Sequence, residues 1–215
     1  MSSRYALLAL LVLLFPQFFT SLINFVFGVP TQLSQIHPFR CTDRFKSCSS
    51  LLYQHNGLNE DQIATFYSVK KSKIEPISHP AGGKQGYLVT VPCTCKNVNG
   101  TIGYFYDTFY KLQPADTFAN VSRQIYSGQA WKVGGDEKIY KVGDVVTIHL
   151  LCGCGEKADS QPIVTYTVQE FDTISVIVDL LSSKIGDVEN LNPYLGQHPQ
   201  FLQVGWLLYV PMEKS

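Results

Sequence analysis

The sequence has no excess of charge of either sign and no long basic run. Its 215 residues include 17 lysines and arginines against 17 aspartates and glutamates. A balanced chain gives no electrostatic reason to expect binding to nucleic acid or to an anionic membrane surface. We therefore expect no nucleic-acid partner.

Signatures of catalysis are missing as well. The sequence contains no Ser-His-Asp pattern, no metal-binding motif and no phosphate-binding glycine loop. Hydrolysis of glycosidic bonds would need two carboxylates about 5–10 Å apart in a cleft. The acidic residues instead fall at expected helix starts or in polar loops such as Asp136-Glu137. We expect no catalytic residues, no enzyme activity and no cofactor.

Cysteine is scarce, but its spacing is informative. The six cysteines form Cys41-x6-Cys48, Cys93-Thr94-Cys95 and Cys152-Gly153-Cys154. We expect each Cys-x-Cys pair to lie just beyond a closing strand and to bond to two separate partners, because two cysteines so close bond to each other only with strain. Fifteen pairings remain open. Zinc prefers Cys-x2–4-Cys spacing, so the pattern favours disulfides, and we expect no metal site.

The N-terminus indicates the compartment. Residues 1–28 carry Arg4 and then a leucine-rich apolar run, which is typical of a secretory signal peptide ending near Gly28. An uncleaved signal anchor is the alternative, because the run is long enough to span a bilayer. Both interpretations place the remainder outside the cytosol, where disulfides persist. The N-glycosylation motifs at Asn99 and Asn120 agree with this.

The chain also repeats itself. An Asp-Thr-apolar triplet occurs at Asp116 and again at Asp172, and each copy later reaches a Val-Gly turn before an apolar strand, at Gly143 and Gly205. A weaker first copy ends after Gly86. Repeats of about 50 residues bury little apolar surface alone, so disulfides and mutual packing are expected to stabilise them.

The last copy predicts strand, helix, helix and strand. Its aspartate is a good N-cap residue, and the apolar residues that follow it have helical spacing: Ile174, Ile177, Val178 and Leu181. A second helix is predicted over 185–191, ending at Asn192-Pro193 because the residue before proline avoids helical geometry. Gly205 then permits a tight turn into the closing strand. The two strands can pair antiparallel.

These motifs resemble a LysM domain: Tyr-x-Val-x-x-x-Asp-Thr-Ile, Asn-x-Asn-Pro and Val-Gly-x-x-Leu-x-Val-Pro. Residues 166–211 match closely, residues 110–151 match at both ends without the Asn-Pro centre, and residues 51–92 match in their second half. Three such units with these cysteines resemble the extracellular region of plant LysM receptor-like kinases and their glycosylphosphatidylinositol-anchored relatives.

The resemblance implies an α+β fold of three small βααβ modules clamped by three disulfides. The implied units span residues 41–95, 104–154 and 163–212, here called units 1, 2 and 3. The implied bridges are Cys41–Cys95, Cys48–Cys154 and Cys93–Cys152.

Unit 1 departs from the pattern. Two prolines and a double glycine between Ile74 and Gly83 disfavour a second helix. Residues 72–77 are compatible with an extra edge strand, where proline is tolerated, which would make unit 1 βαββ. This departure resembles the branch of the family linked to bacterial exopolysaccharide perception in legume root symbiosis. A degenerate second helix is the alternative.

The resemblance also implies where ligand binds. Glycans containing N-acetylglucosamine lie between the loop after the first strand and the loop before the last, so residues 113–118 face 139–142 in unit 2. The candidate contacts are Gln113, Pro114, Asp116, Thr117, Ile139, Tyr140 and Lys141 in unit 2, and Glu170, Phe171 and Phe201 in unit 3. Tyr140 and Phe171 are the stronger candidates, because the helix pattern requires neither. The two aspartates fit caps better than ligand contacts.

We therefore predict an extracellular carbohydrate-binding receptor region for microbial glycan, with bacterial exopolysaccharide in symbiosis signalling favoured. The alternatives are a chitin receptor or co-receptor in innate immunity and a soluble secreted glycan-binding decoy. A receptor would carry a separate intracellular kinase domain and could act with a co-receptor kinase. The expected location is the extracellular face of the plasma membrane, or secretion, with membrane attachment only through sequence beyond Ser215.

Overall fold

The computed structural model describes residues 37–41, 46–79, 85–132, 141–155, 161–195 and 202–213. The predicted signal peptide lies outside the described residues. So do three of the candidate glycan contacts, Ile139, Tyr140 and Phe201.

The described residues form a mixed α+β fold, as predicted. The strands are β1 (Ser47–Gln54), β2 (Ile74–Ile77), β3 (Gly86–Val98), β4 (Thr101–Lys111), β5 (Val145–Leu151), β6 (Ile163–Thr167) and β7 (Leu207–Pro211). The helices are α1 (Glu60–Phe66), α2 (Phe118–Ile125), α3 (Ile174–Leu180) and α4 (Ile185–Leu191), with a 3-10 turn at Lys71–Lys73.

All seven strands belong to one sheet. Its order is β5-β4-β3-β1-β6-β7, and β2 pairs with β3. Every described pairing is antiparallel except that of β1 with β6, where Leu51 faces Val164 and Leu52 faces Thr165. The strands of unit 1 therefore occupy the middle of the sheet, with those of units 2 and 3 on either side.

Unit 1 contains the extra strand that its prolines predicted. The order is β1, α1, β2, β3, and Asn59 begins α1 by accepting a hydrogen bond from the backbone N–H of Gln62 at 2.9 Å. Strand β2 is shorter than the predicted 72–77, because residues 71–73 form the 3-10 turn. Pro76 lies opposite Tyr87 in the pairing of β2 with β3. Unit 1 is thus βαββ.

Unit 3 has the predicted strand, two helices and strand. Strands β6 and β7 pair antiparallel over their whole length. Ile177, Val178 and Leu181 are buried, as their helical spacing predicted. Gly205 adopts φ +88°, a left-handed conformation that favours glycine, in the turn before β7.

Unit 2 has helix α2 between its strands. After α2 the chain runs beside β5: Trp131 N–H donates to the His149 carbonyl at 2.7 Å, and Leu151 N–H donates to the Gln129 carbonyl at 3.0 Å. Residues 126–132 contain no second helix, and residues 133–140 lie outside the described residues.

The predicted helix caps were wrong by one residue. The N-caps are Thr117 and Thr173, not Asp116 and Asp172. Each threonine hydroxyl accepts a backbone N–H from the third residue of its helix at 3.2 Å. The aspartates do not cap the helices, because their carboxylates close the turns that precede them.

The bridges join Cys41 to Cys95, Cys48 to Cys154 and Cys93 to Cys152, the pairs that the family resemblance implies. All six cysteines are therefore oxidised. The Cys-x-Cys pair at residues 152 and 154 follows β5, as expected. The pair at residues 93 and 95 instead lies inside β3, because β3 continues to Val98 and pairs there with β4.

The N-terminal segment joins the strands of units 2 and 3. The Phe39 carbonyl accepts the backbone N–H of Tyr104 at 3.0 Å, and Phe39 N–H donates to the Tyr209 hydroxyl at 3.1 Å. The rings of Phe39 and Tyr209 pack edge to face at 4.9 Å. Residues 37–39 thus bridge β4 and β7.

Candidate functional site

A groove of about 340 Å³ lies in unit 2, between the turn from β4 to α2 and the turn before β5. Its wall is mostly apolar, with a few polar side chains. The apolar residues are Leu112, Ala115, Phe118, Val121, Val142, Val146 and Ile148, and the polar residues are Gln113, Asp116, Thr117 and Lys141.

Backbone hydrogen bonds hold the two turns together. Leu112 N–H donates to the Asp144 carbonyl at 2.9 Å, and Gly143 N–H donates to the Leu112 carbonyl at 2.8 Å. Gly143 has φ +91°, which a side chain would strain. The spacing between the groove walls is therefore set by the fold.

Carboxylates fix the shape of each turn. An Asp116 carboxylate oxygen accepts Gln113 N–H at 2.7 Å, and an Asp144 carboxylate oxygen accepts Lys141 N–H at 2.8 Å. Burial, followed by the hydrogen bond to Asp116 and its negative charge, raises the pKa of Tyr110 to about 12. The raised pKa keeps the Tyr110 hydroxyl protonated, and able to donate toward Asp116, well into the alkaline range.

The aspartate of the equivalent turn of unit 3 is covered. Asp172 accepts Gln169 N–H at 2.8 Å and the Tyr166 hydroxyl at 2.7 Å, while its other oxygen lies 3.0 Å from His79 Nε2. The Asp172 side chain is fully buried, and that of His79 is 11% exposed. The segment after β2 in unit 1 therefore lies against the turn of unit 3, whereas Asp116 in unit 2 borders the groove.

Phe171 occupies the same place in the unit 3 turn as Ala115 does in unit 2. Both residues are left-handed, with φ 68° and 66°. Phe171 is 84% exposed, and Val204 in the neighbouring turn is 67% exposed. A large apolar side chain in this conformation and in contact with water is uncommon, and Phe171 stays a predicted contact.

The structure brings four predicted contacts together in one groove: Gln113, Asp116, Thr117 and Lys141. Pro114 lies in the same turn and is exposed, but it does not line the groove. Glu170 and Phe171 are exposed in the turn of unit 3.

Sequence reasoning missed the floor of the groove. The floor residues outside the predicted loops are Leu112, Val121, Val146 and Ile148. A signal was present, since Val121 lies one helical turn after Thr117, and Val146 and Ile148 alternate along β5 toward one face. The predicted loops supplied the rim, and the flanking helix and strands supply the apolar base.

Comparison with known proteins gives no match to a family model. Two curated proteins of Arabidopsis thaliana are related. LysM domain-containing GPI-anchored protein 1 is 32% identical over 183 residues, covering 75% of this chain and 43% of the relative. LysM domain receptor-like kinase 3 is 25% identical over 193 residues, covering 88% of this chain and 28% of the relative. The chain thus spans less than half the length of either relative.

Solved structures share the fold. The ectodomain of a receptor like kinase matches with TM-score 0.53 at 17% identity, over 82% of this chain and 94% of the other. The LYK3 ectodomain matches with TM-score 0.56 at 15% identity, over 81% and 93%. The fold is that of LysM receptor-kinase ectodomains. The chain itself is homologous to the LysM proteins of plants.

The disulfides and the relatives fit an extracellular or secretory-pathway location. Within the described ranges, no helix has the length and apolar character needed to cross a bilayer.

Proposed function

We propose that this chain is the extracellular carbohydrate-binding region of a plant receptor and that the groove of unit 2 holds the glycan. The observation that carries the proposal is the composition of that groove: a mainly apolar base with a carboxylate, an amide, a hydroxyl and an amine among its lining. Sugar rings suit such a surface, since their C–H faces are apolar and their hydroxyls need directed hydrogen bonds.

The enclosed aspartate in the turn of unit 3 supports the choice of unit 2. Asp172 is enclosed by Tyr166, Gln169 and His79, so its carboxylate has no access to a ligand. The exposed Phe171 nearby remains a candidate contact at the edge of the same turn. We assign the main site to unit 2 and a secondary contact to unit 3.

The relatives support a receptor role. One is named as a GPI-anchored LysM protein and the other as a LysM receptor-like kinase. We propose that this chain binds ligand without catalysing a reaction, that signalling belongs to a kinase domain or a co-receptor kinase, and that the chain acts at the extracellular face of the plasma membrane.

We propose bacterial exopolysaccharide as the favoured ligand. The βαββ order of unit 1 supports this choice, since it is the feature that resembles the exopolysaccharide-linked branch. A chitin oligomer is the second candidate. The observation that favours it is the apolar base formed by residues such as Val146 and Ile148, against which acetyl methyl groups can pack.

Calorimetric titration of the secreted protein with chitin oligomers and with purified bacterial exopolysaccharide tests the proposal. Binding of exopolysaccharide is the expected result. Chitin binding alone would replace the favoured ligand by the second candidate, and binding of neither would refute glycan recognition.

The groove is tested by two matched variants. Phe118→Ala removes a 39%-exposed groove side chain and should weaken binding about tenfold, because stacking on one aromatic ring is worth on the order of 1 kcal/mol. Phe109→Ala removes a 61%-exposed ring from β4 outside the groove and should leave affinity unchanged. Equal effects of the two variants would exclude the unit 2 groove.

A further inference from the structure

One N-glycosylation motif, Asn120-Val121-Ser122, lies within helix α2, which forms one wall of the unit 2 groove. Val121 lines the groove, as do Thr117 and Phe118 on the preceding turn. The backbone N–H of Asn120 donates to the Thr117 hydroxyl at 3.2 Å, so Asn120 is fixed in the first turn of the helix. Successive residues of a helix project about 100° apart. Asn120 therefore flanks the helix face that borders the groove.

The burial of the motif determines when it can be modified. Asn120 is partly exposed, but Val121 and Ser122 are only 4% and 8% exposed. Transfer of a glycan requires access to the serine hydroxyl as well as to the asparagine. Modification must therefore occur on the extended chain, before α2 packs on the sheet. A chain in the secretory pathway meets that condition, and the bulky, hydrophilic product then projects to solvent.

We propose that an N-glycan on Asn120 lies against the rim of the unit 2 groove and shields it from ligand. The glycan is anchored beside Val121 and one helical turn from Thr117, so its first sugar rings stand at the mouth of the groove. They are N-acetylglucosamine, the sugar that the family resemblance implies for the ligand. The steric shielding depends only on the geometry, while its effect on ligand affinity rests on the proposed function.

The second motif provides a matched control. Asn99 is exposed in the turn between β3 and β4. The groove begins at Leu112, just after the other end of β4. A strand of 11 residues separates the two ends by about 35 Å. A glycan at Asn99 therefore shares the compartment and the chemistry but not the position.

The experiment compares the secreted wild type, Asn120→Gln and Asn99→Gln. Mass spectrometry after peptide N-glycosidase treatment measures the occupancy of each asparagine. Acylation of Lys141 by a bulky N-hydroxysuccinimide ester measures access to the groove, because Lys141 lines it. The exposed Lys184 serves as the internal reference. We expect Asn120 to be occupied and Lys141 to react at least threefold faster in Asn120→Gln but not in Asn99→Gln.

Enzymatic removal of the glycans from folded wild type should reproduce the effect and does not depend on the folding of a variant. Titration with bacterial exopolysaccharide, the favoured ligand, should then show a matching gain in affinity. An unmodified Asn120, or unchanged Lys141 reactivity after glycan removal, would overturn the shielding proposal. Faster labelling together with no binding of any glycan would uphold shielding and refute the proposed function.

Discussion

Asn192 forms hydrogen bonds with both backbone groups of Tyr209, so one side chain pairs with the outer edge of β7. Its amide oxygen accepts Tyr209 N–H at 2.9 Å, and its amide nitrogen donates to the Tyr209 carbonyl at 2.8 Å. The same nitrogen also donates to the Val188 carbonyl at 2.7 Å. The asparagine of the Asn-Pro motif thus ends α4 and also pairs with the backbone of β7. Without it, the N–H and carbonyl of Tyr209 on that strand edge would lack these partners.

Replacing Asn192 by alanine should destabilise the protein by about 2–4 kcal/mol, because the backbone groups of Tyr209 would lose their partner in a buried position. Urea unfolding with the disulfides intact would measure the loss. Asn190→Ala is the control, because Asn190 is an exposed asparagine of the same helix. Equal stability of the two variants would contradict the role assigned to Asn192.

Gln129 connects unit 2 with the middle of the sheet. Its fully buried amide nitrogen donates to the Tyr53 carbonyl at 2.6 Å and to the Thr165 carbonyl at 3.3 Å. Gln129→Leu removes both donations and should cost about 1–3 kcal/mol. The exposed Gln124 of α2 is the control for the same substitution. A shift of the thermal midpoint in Gln124→Leu as large as that in Gln129→Leu would argue against this connection.

The two repeat aspartates should respond differently to loss of charge. Asp172→Asn places an amide N–H₂ group among the donors Gln169 N–H and the Tyr166 hydroxyl or beside His79, so we expect a loss of about 1–3 kcal/mol. Asp116→Asn should cost less, because the Asp116 side chain borders the open groove, whereas that of Asp172 is fully buried. Denaturant titrations of both variants would test the ranking. The reverse order would show that coverage by unit 1 does not determine the effect.

Asp107 predicts a dependence of stability on pH. Burial would raise its pKa, but hydrogen bonds and charge from His149 and Lys96 outweigh burial and hold the pKa of Asp107 below its ordinary value. His149 Nδ1 lies 2.6 Å from the carboxylate, and Lys96 pairs with the same oxygen. A lowered folded pKa stabilises the folded state above the unfolded pKa of about 4. That contribution is lost as the pH falls through the folded pKa.

Asp107→Asn should therefore reduce stability at about pH 6 by no more than about 1 kcal/mol, since the side chain is 37% exposed. The difference from wild type should shrink as the pH approaches 3. Urea midpoints of both proteins at each pH would measure it. A difference that grows in acid would reverse the assigned sign.

The repeat motifs predicted the turn and the first helix of unit 3, because those residues have local roles. Gly205 needs its left-handed turn, and the spacing of Ile177 and Leu181 suits only a helix. The caps were misassigned because aspartate and threonine both cap helices well. In the structure Asp172 accepts Gln169 N–H in the preceding turn, and Thr173 accepts the helix N–H instead. The parallel pairing of Leu51 with Val164 was not predictable, because no local pattern identifies a partner so distant in sequence.

The candidate site likewise has a part that the sequence predicted and a part that it did not. The loop sequences identified Gln113 and Lys141, since repeat position alone selects them. His79 covers Asp172 because the end of β2 in unit 1 lies next to the turn of unit 3. The sequence of unit 3 alone does not predict this contact. Which of the two aspartates borders an open groove therefore could not be predicted from the sequence of either unit alone.

The place of β1 in the sheet has a consequence for how the chain is made. One edge of β1 pairs with β3 soon after synthesis, but the other edge waits for β6, more than a hundred residues later. During that interval the nascent protein exposes an open strand edge containing Leu51 and Leu52, the kind of edge that recruits other chains into aggregates. The first strand to be synthesised is therefore among the last to have both of its edges paired.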